Sequence, residues 1–115
     1  MIRRNSERIR TEKQMFGGNG TAKSAHILEA REEMYNKGRV FNHLYLDPGC
    51  EVGYHVHHGD GETYYILKGR GEYNDNGTIV ILEPGDVAFV DDGEGHALKA
   101  IGDETLEAIA LILYK

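Results

Sequence analysis

Three histidines and a glutamate are the most informative residues in this sequence, because their spacing could direct all four side chains towards one cation. His55 and His57 are separated by one residue, and in a β-strand residues two apart point to the same face. Glu62 follows the polar segment 58–61, so it returns beside the histidines if the next strand pairs antiparallel with the first. His96 offers a third imidazole. Two such histidines alone are as consistent with ordinary structural polar groups as with a site; the complete set indicates a metal site.

Glycines at fixed intervals extend this pattern into two motifs. The first runs Gly49, five residues, His55-Val56-His57, four residues, Glu62, six residues, Gly69, and the second runs Gly85, seven residues, Gly93, two residues, His96. These strings resemble the cupin superfamily motifs G-x5-H-x-H-x3-4-E-x6-G and G-x5-P-x-G-x2-H-x3-N. The first motif matches at every defined position. In the second, Asp91 replaces the usual proline and Ala100 the usual asparagine, and neither departure removes a candidate ligand.

The resemblance covers about residues 24–114 and implies an all-β double-stranded β-helix, the jelly roll or cupin barrel, with a divalent transition metal inside. On that likeness the metal ligands are His55, His57, Glu62 and His96. Three neutral imidazoles and one carboxylate suit Mn, Fe, Ni, Co, Cu or Zn better than Ca or Mg. Four protein ligands would leave positions of a six-coordinate ion for water or a substrate. The ligand set does not identify the metal.

The pattern of the chain from about residue 24 onward independently predicts an antiparallel sandwich or barrel. Short apolar runs are punctuated by most of the 15 glycines and both prolines. Asp75-Asn76-Gly77 is a strong hairpin signal, and Glu83-Pro84-Gly85 predicts a type II turn. Many short strands without long helical stretches between them are typical of such folds. One short helical turn is predicted within 29–36. The predicted strands are roughly 24–29, 39–47, 50–57, 62–68, 71–74, 78–82, 86–90, 96–101 and 106–113.

The domain organisation predicted for the 115 residues is one barrel preceded by an arm, since this length suits a single core. We expect residues 1–23 to form the N-terminal arm and residues 24–115 the barrel. Small cupins typically pair through barrel edges, and an N-terminal segment often adds a strand to the partner. The resemblance therefore predicts a homodimer in which the arm can be exchanged.

Charge and cysteine content exclude several classes of protein. The net charge of −6 disfavours nucleic-acid and anionic-membrane partners, although residues 1–25 carry six Lys and Arg against two Glu. Cys50 is the single cysteine, so an intrachain disulfide is impossible. Residues 1–16 lack the apolar region of a cleaved signal peptide. A cytoplasmic protein is the expectation.

Several further polar residues could line the interior, and the sequence does not choose among them. Tyr64 shares the strand parity of Glu62, whereas His58 should point away from the site. The face of strand 39–47 that looks inward is undetermined. Arg39 and Arg70 could pair with an anionic substrate or lie at the surface. The open candidates for the pocket wall are Asn42, His43, Tyr45 and Tyr64.

Three functions remain open at this level. The first is a small metal-dependent enzyme acting on a small carboxylate or sugar-like molecule, of the decarboxylase, isomerase or dioxygenase type. The second is a non-catalytic metallo-cupin that binds or senses a small-molecule ligand, and the third is a dimer in which the site only stiffens the barrel. A catalytic acid or base beyond the metal ligands would favour the first, and the sequence identifies none.

Overall fold

A computed structural model describes residues 1–115 as ten β-strands and two short 3-10 helices, Asn5–Glu7 and Arg31–Met34. The nine predicted strands are confirmed, as is the helical turn. Neither helix has the length or apolarity needed to cross a membrane. The strands are β1 Arg10–Lys13, β2 Ala22–His26, β3 Gly38–Leu46, β4 Glu51–Val56, β5 Asp60–Lys68, β6 Arg70–Asp75, β7 Thr78–Leu82, β8 Val87–Val90, β9 Gly95–Ile101 and β10 Leu106–Tyr114.

The strands form two antiparallel sheets that pack face to face. The larger has the order β1-β2-β3-β10-β5-β8 and the smaller the order β4-β9-β6-β7. Sequence neighbours such as β3 and β4 therefore lie in different sheets, so the chain crosses repeatedly from one layer to the other. This is the double-stranded β-helix that the resemblance implied.

The core lies between the sheets and follows the two-residue period of the strands. Leu46, Ile66 and Leu106 from the larger sheet are fully buried, as is Leu98 from the smaller one. Alternate residues face outward, as Tyr65 and Leu67 do on either side of Ile66. Burying each large side chain contributes about 1.5–3 kcal/mol relative to its exposed state. The apolar core therefore fixes which residues of each strand point inward.

Left-handed backbone at two predicted turns confirms the chemistry read from the sequence. Asn76 and Gly77 have φ values of 50° and 103°, as a two-residue type I′ hairpin between β6 and β7 requires. Gly85, after Glu83-Pro84, has φ 94°, which is favoured at the third position of a type II turn. These turns set the registers of the strands that follow them.

The segment predicted as an arm contains β1, which was not foreseen, and the first residues of β2. All four residues of β1 are exposed, so it lacks the alternating pattern of a half-buried strand, and in this structure it pairs with β2 of the same chain. Met15 then forms an isolated bridge with Val52. Gly53 permits this approach because a Cβ atom there would meet the carbonyl oxygen of Phe16.

Candidate metal centre

Four side chains from the two sheets converge inside the barrel. His55 lies in β4 and His57 directly after it, Glu62 lies on the inner face of β5, and His96 lies in β9. β4 and β9 are paired so that His55 is opposite His96. Each of the four residues offers a ligand atom, and all four atoms lie within 4.8 Å of one another. The structure therefore brings together every residue predicted to bind the metal.

The distances show that the carboxylate and three Nε2 atoms face one point. Glu62 Oε1 lies 3.0 Å from Nε2 of His96, 3.4 Å from Nε2 of His57 and 3.9 Å from Nε2 of His55. The Nε2 atom of His96 is 3.1 Å from that of His55 and 3.2 Å from that of His57. His57, Glu62 and His96 are buried, and His55 is half-buried.

The second ring nitrogen of each histidine is held by a neighbouring polar group. His55 Nδ1–H donates to the carbonyl of Gly53 at 2.8 Å, and His57 Nδ1–H donates to the carboxylate of Asp60 at 2.6 Å. In a neutral ring, these bonds leave Nε2 without a proton and with its lone pair towards the centre. His96 Nδ1 lies 2.8 Å from the hydroxyl of Tyr73.

This donor set fits a divalent transition metal. Nitrogen lone pairs that face one another at about 3 Å repel unless a cation or shared protons lie between them. Three imidazoles and one carboxylate are ligands that Zn, Fe, Mn, Co, Ni and Cu accept. The cluster could therefore hold a metal ion, and the contacts to Gly53 and Asp60 are the orienting bonds that metal-binding histidines ordinarily have.

The ionisation of the cluster reflects strong mutual coupling. Burial by itself would raise the pKa of Glu62, but the neighbouring imidazoles of His55, His57 and His96 lower that pKa well below its usual range. Hydrogen bonding to Glu62, and then to Asp60, raises the pKa of His57. Burial lowers the pKa of His96, and Glu62 opposes that effect. Glu62 is thus an anion at neutral pH, which favours a bound cation.

Aromatic rings enclose the cluster. Tyr64 stacks on His96 with ring centroids 5.2 Å apart, and Tyr73 meets the same ring edge-on at 5.6 Å. Phe16 stacks on His55 at 3.9 Å, although its side chain is 57% exposed. The left-handed backbone of Phe16, with φ 54°, costs a non-glycine residue about 1–2 kcal/mol. Phe16 therefore forms an outer wall, whereas the two tyrosines form the inner one.

A cavity of about 320 Å³ opens beside the cluster, and His55, His57 and Glu62 form part of its wall. A volume of this size is typical of small-molecule sites. Half of the lining residues are hydrophobic, and the other half are polar or charged. The polar residues beyond the cluster include Lys13, Ser24, His26, Arg39 and Asn42.

The structure settles which of the open candidates face the cavity. Asn42 and Tyr64 line it. His43 and Tyr45 lie on the outer face of β3, where their rings stack at 4.3 Å and His43 Nε2 lies 2.9 Å from Glu107. His58 is exposed, as expected.

Three residues that contact the cluster were missed at the sequence level. Asp60 lies between two predicted ligands, but only the folded loop shows that it faces His57. Tyr73 and Phe16 reach the site from other parts of the chain. No local pattern could have identified the last two, because their contacts depend on tertiary packing.

The sequence and the fold are both similar to those of known proteins. Residues 42–112 match the family described as a cupin domain. A Thermotoga maritima protein named oxalate-binding protein is 46% identical over 99 residues, which cover 86% of this chain and 81% of that protein. The crystal structure of a predicted oxalate decarboxylase from Thermotoga maritima has a TM-score of 0.93 and 42% identity, covering 100% of both chains. A cupin-2 domain from Rhodospirillum rubrum has a TM-score of 0.76 at 15% identity, covering 100% of this chain and 74% of that one; it shows the fold alone.

Replacing Asp60 with Asn should weaken metal binding without removing a ligand. The Asp60 carboxylate orients His57 and is 6% exposed, and loss of such an orienting group typically lowers metal affinity about 10–100-fold. Asp103→Asn, at an exposed position, is the matched control. Competition with a chromogenic chelator measures both affinities. Equal affinities of the two variants would contradict the role of Asp60.

Metal affinity should fall as the pH is lowered below about 6, because an imidazole must be neutral to bind a metal. Hydrogen bonding of the His57 ring to Glu62 and Asp60 raises the pKa of His57. Protons therefore compete with the metal for this ring at a higher pH than they do at an ordinary histidine. In the metal-free protein this protonation stabilises the fold at low pH, and that contribution is lost as the pH rises through the raised pKa. The metal should therefore stabilise most at neutral and higher pH.

The measurement is metal content after desalting at about pH 5 and about pH 7.5, with thermal midpoints of the metal-loaded and metal-free protein at each pH. Unchanged metal content at about pH 5 would contradict ligation by imidazoles.

Proposed function

This chain belongs to the cupin family, and on that premise we propose that it binds a divalent transition metal and holds a small carboxylate, such as oxalate, at the bound ion. The proposed metal ligands are His55, His57, Glu62 and His96. The observation that carries the proposal is the convergence of their four ligand atoms within 4.8 Å at the wall of a cavity. The similarity to a protein named oxalate-binding protein supports the choice of ligand.

The roles of the chain's own residues follow from their contacts. When bound, such an ion supplies a Lewis acid with positions open to carboxylate oxygens. Glu62 offsets one unit of its positive charge, while Gly53 and Asp60 orient two of the imidazoles. Tyr64 stacks on the ring of His96 and Phe16 on the ring of His55, so each covers one side of the cluster.

The charges around the cavity also favour an anionic ligand. Lys13 and Arg39 line it, and Lys13 has no acidic partner. Glu29 also lines the cavity, but its carboxylate lies 2.9 Å from Arg3. With a divalent ion in place, the positive charge of the site exceeds the charge of Glu62. A small dianion is therefore a better occupant than a neutral sugar.

Turnover of the carboxylate is the second candidate function, and the similarity to a predicted oxalate decarboxylase favours it. Such a reaction needs a group that moves a proton beside the substrate. Tyr64 is a titratable residue at the cavity wall beyond the ligands, and burial, followed by the charge of Glu62, raises its pKa. Its hydroxyl therefore stays protonated and suits a donor better than a base. Binding without turnover is placed first because the similarity to a protein named oxalate-binding protein favours it, and release of CO₂ from oxalate would reverse that order.

Metal analysis of His57→Ala and His58→Ala tests the proposed site with two adjacent histidines. His57 is buried in the cluster, whereas His58 is exposed. We expect wild type and His58→Ala to hold stoichiometric metal by elemental analysis and to bind oxalate by calorimetry. His57→Ala should lose most of both. Wild-type protein that is fully stable and takes up no divalent transition metal would refute the proposal.

We also propose that the protein forms a homodimer, as the sequence analysis predicts. An apolar surface on the outer face of the larger sheet supports this pairing, since contiguous exposed apolar residues are typical of interfaces. Tyr65 and Val87 are neighbours across β5 and β8. The exposed members of the surface are Tyr65, Leu67, Val87, Phe89 and Leu113.

Light scattering measures the effect of Phe89→Glu and of removing residues 1–20. Both changes should weaken the dimer, the first by burying a charge in the contact and the second by deleting β1. Thr78→Glu, exposed on β7 of the other sheet, is the control and should remain dimeric. A monomeric wild type at high concentration would contradict the proposal.

A cytoplasmic location stays a prediction from the sequence.

A further inference from the structure

Arg39 is turned towards the cavity by an irregularity in β3. Along β10, Ile112 is opposite Val40, but the next residue, Leu113, is opposite Gly38. Arg39 is therefore the extra residue of a β-bulge, a feature that redirects side chains. Strict alternation would place Arg39 on the outer face with Phe41, yet Arg39 lines the cavity.

The Asp60 carboxylate connects Arg39 to the metal cluster. One oxygen accepts from His57 Nδ1–H at 2.6 Å, and the other accepts from Arg39 Nε–H at 2.9 Å. This contact uses only the Nε atom of the guanidinium, and neither terminal nitrogen has a partner within the chain. The side chain of Asp60 is 8% exposed and that of Arg39 is 40% exposed. The buried carboxylate of Asp60 thus binds the Nε atom of Arg39 and leaves the two terminal nitrogens of the guanidinium free.

Asn42 and Lys13 are further cavity-lining residues whose hydrogen-bond donors have no partner within the chain. The Asn42 amide lines the cavity from the inner face of β3, and Lys13 lines it from β1. Neither side chain forms a hydrogen bond or ion pair within the chain. Together with the terminal nitrogens of Arg39, these donors could be used by one ligand that accepts hydrogen bonds.

We infer that Arg39, together with Asn42 and Lys13, forms a carboxylate-binding subsite in the cavity beside the metal cluster. The inference rests on the proposed function and deepens it. The terminal nitrogens of a guanidinium match the two oxygens of a carboxylate, whereas a lysine ammonium is a point charge. Asp60 acts here as a positioning residue, because its carboxylate orients both the guanidinium of Arg39 and the ring of His57.

The alternative is that Arg39 only neutralises Asp60. That role needs a positive charge but not the paired nitrogens of a guanidinium, so a lysine at position 39 would also fulfil it. Arg70, by contrast, lies at the surface, where it is 55% exposed and its Nε lies 3.3 Å from Glu83. It offers a matched control for the loss of one arginine.

The experiment compares wild type with Arg39→Lys, Arg39→Gln and Arg70→Gln. Chelator competition measures Mn²⁺ affinity, and calorimetry on the Mn²⁺-loaded proteins measures oxalate affinity. We expect Arg39→Gln to weaken oxalate binding about 10–100-fold, the usual effect of losing a hydrogen bond to a charged group. Arg39→Lys should weaken oxalate binding to a smaller extent while Mn²⁺ affinity stays within about 3-fold of wild type. Arg70→Gln should match wild type in both.

Each contrary result has a definite meaning. Unchanged oxalate binding in Arg39→Gln, or in Arg39→Lys if the Gln variant does not fold, overturns the subsite. Parallel loss of Mn²⁺ and oxalate in Arg39→Lys also overturns it, because Arg39 would then act through Asp60 and His57. Wild-type protein that binds Mn²⁺ but not oxalate refutes the carboxylate ligand alone. Wild-type protein that binds no Mn²⁺ or other divalent transition metal refutes the proposed function, and the subsite with it.

Discussion

The buried carboxylate of Glu62 among three imidazoles is the interaction on which the rest of the site depends. An uncompensated buried charge costs several kcal/mol, and the three ring nitrogens within 3.9 Å of Oε1 offset it only where they carry a proton or bind a cation. Imidazoles at about 3 Å from one another also need positive charge between them. Shared protons or a cation would meet both requirements together, so the cluster could hold a metal ion.

This cluster depends on the barrel as a whole, because its side chains come from both sheets. β4 and β9 of the smaller sheet present the histidines, and β5 of the larger sheet presents Glu62. A slip of one residue in any of these strands would turn its side chains to the other face. The apolar alternation around Ile66 and Leu98, together with turns such as that at Asn76-Gly77, prevents such slips. The core and the turns thus serve the site by fixing register.

Residues that contact the cluster connect it to the wall of the cavity. Asp60 accepts hydrogen bonds from a proposed metal ligand and from Arg39, so one buried carboxylate links the cluster to the cavity wall. The N-terminal segment adds Phe16, which reaches His55 because glycine at position 53 lets the two backbones approach. The wall therefore combines parts of the chain that are distant in sequence.

The sequence by itself determined nine of the ten strands, the turns at Gly85 and Asn76-Gly77, and the set of residues that converge. These properties depend on local periodicity, on backbone conformations that glycine and asparagine adopt, and on a motif whose spacing matches a family. Only the tertiary structure decided that Asn42 faces the cavity and His43 does not, because the inward face of β3 depends on its pairing with β10. The same holds for Arg39, whose direction is set by a bulge that exists only when two strands are aligned. Contacts between distant segments, such as those of Tyr73 and Phe16 with the histidines, leave no local pattern, since they arise from the packing of the whole barrel.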